Sequence, residues 1–172
     1  MSYERAFEVF KGYVKLQKEG LSIDKITTED IKKRIDGMDK KVIHTLEVVS
    51  DGSNVLDELG FNDSVKEFSK IAFLDHDIGR FPQMRLTGSF GDNELKNYGL
   101  DVNDHGQLGK EILLGGVIKE QIPETRFLDE PISQIVGDHV SKNGNNEELA
   151  ILSQAILKNE DILEIFKNGS EE

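Results

Sequence analysis

The chain contains no cysteine. Disulfides, thiolate metal sites and cysteine nucleophiles are thereby excluded, and any metal must be held by nitrogen and oxygen. No apolar run approaches the roughly 20 residues that cross a bilayer. The opening segment, MSYERAFEVFKGY, is charged and amphipathic and carries no secretory hydrophobic region. A soluble, cytoplasmic protein is therefore expected. Positive charge is in deficit, with 21 basic residues against 33 acidic ones and a net charge of −12. Such a surface repels long polyanions, which argues against broad nucleic-acid binding and against binding an anionic membrane. A small phosphorylated substrate stays compatible if bound cations reverse the sign inside a cleft. Repeats, low-complexity tracts and strand-turn-strand alternation are also missing.

What remains is a chain of 172 residues, long enough for one domain with a real core. Its apolar residues recur at helical spacing nearly throughout, so the expected fold class is all-α, a compact helical bundle. Ser2 is placed to cap a first helix through about Lys18, ended by Gly20. Thr28 starts a short helix over Glu29 to Ile35. A longer one follows Gly37, from about Lys40 to Leu59, with Gly52 as an interruption or bend. Asn62 or Asp63 precedes SVKEFSKIAFLDHDIG, stopped at Gly79. From Arg80 to Asn103 the periodicity is lost, and Pro82, Gly88, Gly91 and Gly99 suggest a long loop of the kind that often serves function. Asp104 can cap HGQLGKEILLGGVIKEQ. Asp129 with Pro131 opens ISQIVGDHVSK. A last long helix spans EELAILSQAILKNEDILEIFK.

Histidine is scarce: His44, His76, His105 and His139 are the whole supply. Each falls in or at the end of a different expected helix, and no two share local ligand spacing. Scattered histidines are ordinarily surface or satisfied-core residues. Their neighbours point elsewhere, since His76 precedes Asp77 at a helix end, His105 follows Asp104 and His139 follows Asp138. At a helix C-terminus an imidazole and the next carboxylate can converge on one ion, and the local partial negative charge favours a cation.

The segments KKVIHTLEVV, FLDHDIGRF, DVNDHGQLGKEIL, GDHVSKN and ILKNEDILEIF follow in that order. The pattern resembles the H…HD…D signature of the HD superfamily of metal-dependent phosphohydrolases, over about His44 to Phe166. The resemblance implies one HD-type helical domain over residues 1–172, with a helical extension at 1–36 and a metal-binding core at 37–168. It implies His44, His76, Asp77 and Asp161 as ligands of a first metal. His105 and His139 look like the extra histidines of a binuclear subgroup, with Asp77 bridging both ions. Arg80 stands where many relatives have a lysine and is expected to contact substrate phosphate; Asp77 and Arg80 are the expected catalytic pair. Around Asp161 the family tends to show Ala-Asp-Lys-Leu-Asp, whereas this chain has Glu160-Asp161-Ile162-Leu163-Glu164. Glu160 is thus a nearby substitute, and Asp161 could be an exposed helix carboxylate.

The implied reaction is hydrolysis of a small phosphate ester, a nucleotide or related phosphomonoester or phosphodiester, by metal-activated water. Nitrogen-rich ligation suits one or two divalent ions of Fe, Mn, Co, Ni or Zn. The stretch from Phe81 to Asn103 is the expected substrate lid, with Arg85 and Lys96 as phosphate contacts. Two other classes stay open: a di-iron oxygenase of the same superfamily, and a regulatory metal- or nucleotide-binding module without turnover. The apolar N-terminal helix could also pack on a second copy, which leaves a homo-oligomer open.

Overall fold

The computed structural model describes residues 3–61, 63–114 and 129–139. They form seven helices: α1 (Tyr3–Gly20), α2 (Thr28–Glu58), α3 (Asp63–Asp75), α4 (Arg80–Thr87), α5 (Glu94–Asn97), α6 (His105–Leu114) and α7 (Asp129–Asp138). Among the described residues there is no strand, and the fold is an all-α bundle, as the periodicity predicts. No described helix is long and apolar enough to cross a membrane. The expected helix over 147–167, and the continuation of α6 beyond Leu114, lie outside the described residues.

α3 is the central element: apart from a part-exposed face carrying Lys66, Glu67 and Lys70, its side chains are largely buried. Val65, Phe68, Ile71, Ala72, Phe73 and Leu74 are all buried, and α3 packs against α1, α2 and α7. α1 lays Ala6, Phe10, Tyr13 and Val14 onto this core. Phe10 meets Phe81 of α4 edge-on at 5.5 Å between ring centroids, the arrangement favoured by the ring quadrupoles. α6 packs chiefly against α7. A smaller apolar group of Leu95, Val102 and Leu108 ties the segment after α5 to α6.

Besides α3 ending at Asp75 rather than at Gly79, two expectations change. α2 is one helix of 31 residues rather than two, capped by Thr27, whose hydroxyl accepts from the Asp30 amide at 3.1 Å. Gly37 and Gly52 do not interrupt it, since a helical glycine costs only about 0.5–1 kcal/mol. They are points of close approach. A Cβ on Gly37 would lie 2.7 Å from Met84, and one on Gly52 would lie 2.3 Å from the Phe73 ring. Secondly, the span after Arg80 is not a long loop. It holds α4 and α5 and buries Phe81, Gln83, Met84 and Leu95. The burial of Gln83 inside a short helix masked the period. Pro82 lies in the first turn of α4, where its missing N–H costs little. Gly88 ends the helix at φ 71°, a left-handed position where glycine is unstrained, and donates its amide to the Met84 carbonyl at 2.9 Å.

Candidate metal centre

His76, Asp77, Ile78 and Gly79 form a tight turn between α3 and α4, closed by bonds from the Ile78 amide to the Asp75 carbonyl and from the Arg80 amide to the Asp77 carbonyl. The apolar mass of α3 carries this turn inward, so His76 and Asp77 are buried although polar. His139 stands one residue beyond α7, as His76 stands one beyond α3. Each caps the helix it follows. His76 Nδ1 lies 2.6 Å from the Phe73 carbonyl oxygen, and His139 Nδ1 lies 2.5 Å from that of Val136. Both carbonyls belong to the last turn, which lacks intrahelical donors. His105 opens α6 behind Asp104, whose carboxylate accepts from the Gln107 amide at 2.8 Å. His44 comes from the middle of α2.

The four imidazoles converge on the Asp77 carboxylate and divide between its two oxygens. Oδ2 faces His44 Nε2 at 3.6 Å and His76 Nε2 at 3.4 Å. Oδ1 faces His105 Nε2 at 3.2 Å and His139 Nε2 at 3.3 Å. His105 Nε2 and His139 Nε2 are 3.0 Å apart. Within each set, His44–His76–Asp77 and Asp77–His105–His139, the donor atoms lie within 4.8 Å of one another.

This donor set fits a cation. A carbonyl oxygen only accepts, so His76 and His139 each donate from Nδ1. In the neutral ring, Nε2 then presents a lone pair toward Asp77. His105 Nδ1 faces the Asp92 carboxylate, 3.1 Å from either oxygen, with the same consequence. Electron-rich atoms thus face one another at close range and need positive charge between them. Metal–ligand bonds of about 2.0–2.1 Å place neighbouring ligand atoms about 2.9–3.4 Å apart, close to the separations found. The C-terminal ends of α3 and α7, next to His76 and His139, add partial negative charge at the cluster. Without an ion, protonation takes that place in part. Burial works against a charged His105, but hydrogen bonds to Asp77 and Asp92 outweigh it and raise its pKa. Burial likewise pushes the Asp77 carboxyl up, yet the charge of His76 and hydrogen bonds from the three buried histidines hold it well below the usual range.

Of the expected ligands, the fold brings together His44, His76, Asp77, His105 and His139, while Asp161 and its substitute Glu160 lie outside the described residues. Arg80 is beside the cluster, its Nε 3.9 Å from Asp77 Oδ1. Its Nη1 donates to Gln83 Oε1, the Phe90 carbonyl and Asp92 Oδ1 at 2.9, 2.6 and 3.3 Å. Arg85 pairs with Asp24 at 3.4 Å, and Lys96 is exposed on α5. Three residues escaped the sequence reading. Lys41 Nζ lies 3.0 Å from Asp77 Oδ2 and over the Phe90 ring; its signal was its place one turn before His44 on the same helix face. Asp92 and Gln83 gave no local signal.

No family model, no curated protein and no solved structure matches the chain. What stands is an all-α fold with a buried His/Asp cluster suited to a metal ion.

Proposed function

We propose that the protein is a metal-dependent phosphohydrolase of the HD type, acting on a small phosphate ester. The observation that carries this is the division of four histidines between the two oxygens of one buried carboxylate. That pattern offers nitrogen donors to both oxygens of one carboxylate, as a site for two ions would, whereas a lone structural histidine–aspartate pair serves only one. His44, His76 and Asp77 would hold one ion, and Asp77, His105 and His139 the other. When bound, two divalent ions would supply Lewis acidity and a water of lowered pKa for attack at phosphorus.

The chain's own residues set the conditions. Asp77 is the sole anion among the five described ligands, so the loaded centre would be positive within a protein of charge −12. That local inversion favours a phosphate group over a neutral substrate. His76, Asp77, His105 and His139 are sealed from solvent, whereas the His44 side chain is 38% exposed. Substrate would therefore approach along α2, past His44 and Lys41. Lys41 pairs with Asp77 Oδ2 at 3.0 Å on this side, and its ammonium would add positive charge for an incoming anion.

Metal content per chain after anaerobic purification, followed by assays across nucleotides, phosphomonoesters and cyclic dinucleotides, tests the reading. Two ions and turnover lost in Asp77→Ala are expected. Full turnover by Asp77→Ala, or a chain that binds no metal, would refute it. Two irons with oxygen consumption and no hydrolysis would replace it with the oxygenase class.

A further inference from the structure

Asp92 lies in the turn before α5, 13 residues from His105, and holds that histidine twice. Its Oδ1 accepts from the His105 backbone amide at 3.1 Å, and both oxygens lie 3.1 Å from His105 Nδ1. One carboxylate thus fixes the main chain at the start of α6 and the rotation of the ring. The carboxylate is itself braced: Gln83 Nε2 donates to Oδ1 at 3.0 Å and Arg80 Nη1 at 3.3 Å. Gln83 is fully buried, and the Arg80 guanidinium is also tied to the Phe90 carbonyl and stacks over the Phe90 ring at 5.6 Å. The brace begins three residues after Asp77 and ends on His105, two ligands of the same half of the cluster.

We propose that Asp92 is a positioning residue for the ion held by Asp77, His105 and His139, and that Arg80 acts through Asp92 rather than on substrate. The proposal rests on the binuclear reading above. An acceptor on Nδ1 fixes the tautomer that offers Nε2 to the ion and raises its basicity, and loss of such a partner typically lowers metal affinity 10–100-fold. His76 and His139 take this support from helix-end carbonyls of their own elements. His105 sits at a helix start, where backbone amides rather than carbonyls are unpaired. It must borrow an acceptor from elsewhere, and Asp92 supplies it. Arg80 contributes by holding the Asp92 carboxylate and the Phe90 carbonyl in one place, which fixes the turn carrying the acceptor.

Zn²⁺ titration against a chromophoric chelator tests this on the full chain. Wild type and His105→Ala come first: two ions falling to one establishes the half in question. A single ion indifferent to His105→Ala would overturn the binuclear reading and this proposal with it. Asp92→Asn, nearly isosteric and suited to keep the turn packed, is then expected to bind one ion as wild type and the other about 10-fold more weakly. Asp92→Ala should lose about 100-fold at that ion alone. Arg80→Met should follow Asp92→Asn. Two ions bound with wild-type affinity by Asp92→Ala would overturn the role of Asp92 while leaving the metal centre standing. Unchanged Zn²⁺ affinity in Arg80→Met, with weakened binding of inorganic phosphate to the loaded protein, would overturn the role of Arg80.

Discussion

Gly79 is the residue at which a single methyl group tests the packing and the metal centre together. It follows the His76–Asp77 turn and lies against the start of α6. A Cβ built there falls 2.2 Å from the His105 carbonyl oxygen and 2.8 Å from the Gly109 amide nitrogen. Both atoms are backbone, so no side chain can swing aside. Non-bonded atoms settle near 3.5 Å, and the turn and α6 would have to separate by about 1 Å. Overpacking a core ordinarily costs about 1–3 kcal/mol, and two rigid backbones put Gly79→Ala at the upper end, about 3 kcal/mol. For a chain of this size the melting temperature should fall by about 6–12 °C.

The same displacement would act on the proposed ions. Asp77 and His105 lie on opposite sides of the contact, with Oδ1 and Nε2 3.2 Å apart. Moved to about 4 Å, they no longer suit neighbouring positions around an ion at about 2.1 Å. Gly79→Ala should therefore retain the ion of His44 and His76 and lose most affinity for the one shared with His105 and His139. Gly12→Ala is the control. Nothing lies within 4 Å of its Cβ position on the exposed side of α1, so it should gain about 0.5–1 kcal/mol from helix propensity and leave metal content alone. Differential scanning calorimetry with metal analysis reads both. A Gly79→Ala protein that melts with wild type and holds two ions would refute the packing argument and the coupling drawn from it.

Lys41→Met should tighten the ion proposed at His44, His76 and Asp77, because the ammonium on Asp77 Oδ2 is a cation that a metal there would have to displace. A partly buried pair of this kind is worth about 1–2 kcal/mol, a 5- to 30-fold change in affinity; weaker metal binding in the variant would contradict it. Tyr13 tests the core at high pH. Burial pushes its phenol up, offset in part by Arg85. A folded pKa above the unfolded value of about 10 means that the contribution is fully present below pH 10 and is lost as pH rises beyond it. Urea midpoints at pH 8 and pH 11 should therefore shift in favour of Tyr13→Phe at the higher pH, whereas parallel behaviour of the two proteins would count against a buried phenol.

The helical class and several element ends were legible because periodicity and caps act over a few residues, as at Gly20 and Asp104, whereas the cap of α2 is Thr27 rather than Thr28. The errors arose where a local signal had a distant cause. Gly37 and Gly52 read as breaks, yet each answers to a side chain from another element, Met84 and Phe73. α4 read as loop because its buried face includes Gln83, whose burial depends on Asp92.

The candidate site divides along the same line. Without cysteine, transition-metal ligation falls chiefly to imidazole and carboxylate, so four histidines and one histidine–aspartate pair marked the candidate site by residue type. The layer behind it has no such restriction. The Nδ1 atoms of His76, His139 and His105 are served by a phenylalanine carbonyl, a valine carbonyl and an aspartate, three chemically unlike residues doing one job. Any backbone can supply the first two, and the chain holds 33 acidic residues from which the third could be drawn. Asp92 is distinguished only by the brace of Arg80 and Gln83 that brings it to His105. That brace exists because α4 follows the His76–Asp77 turn directly, so the step that buries Asp77 also determines where its neighbour's acceptor must stand.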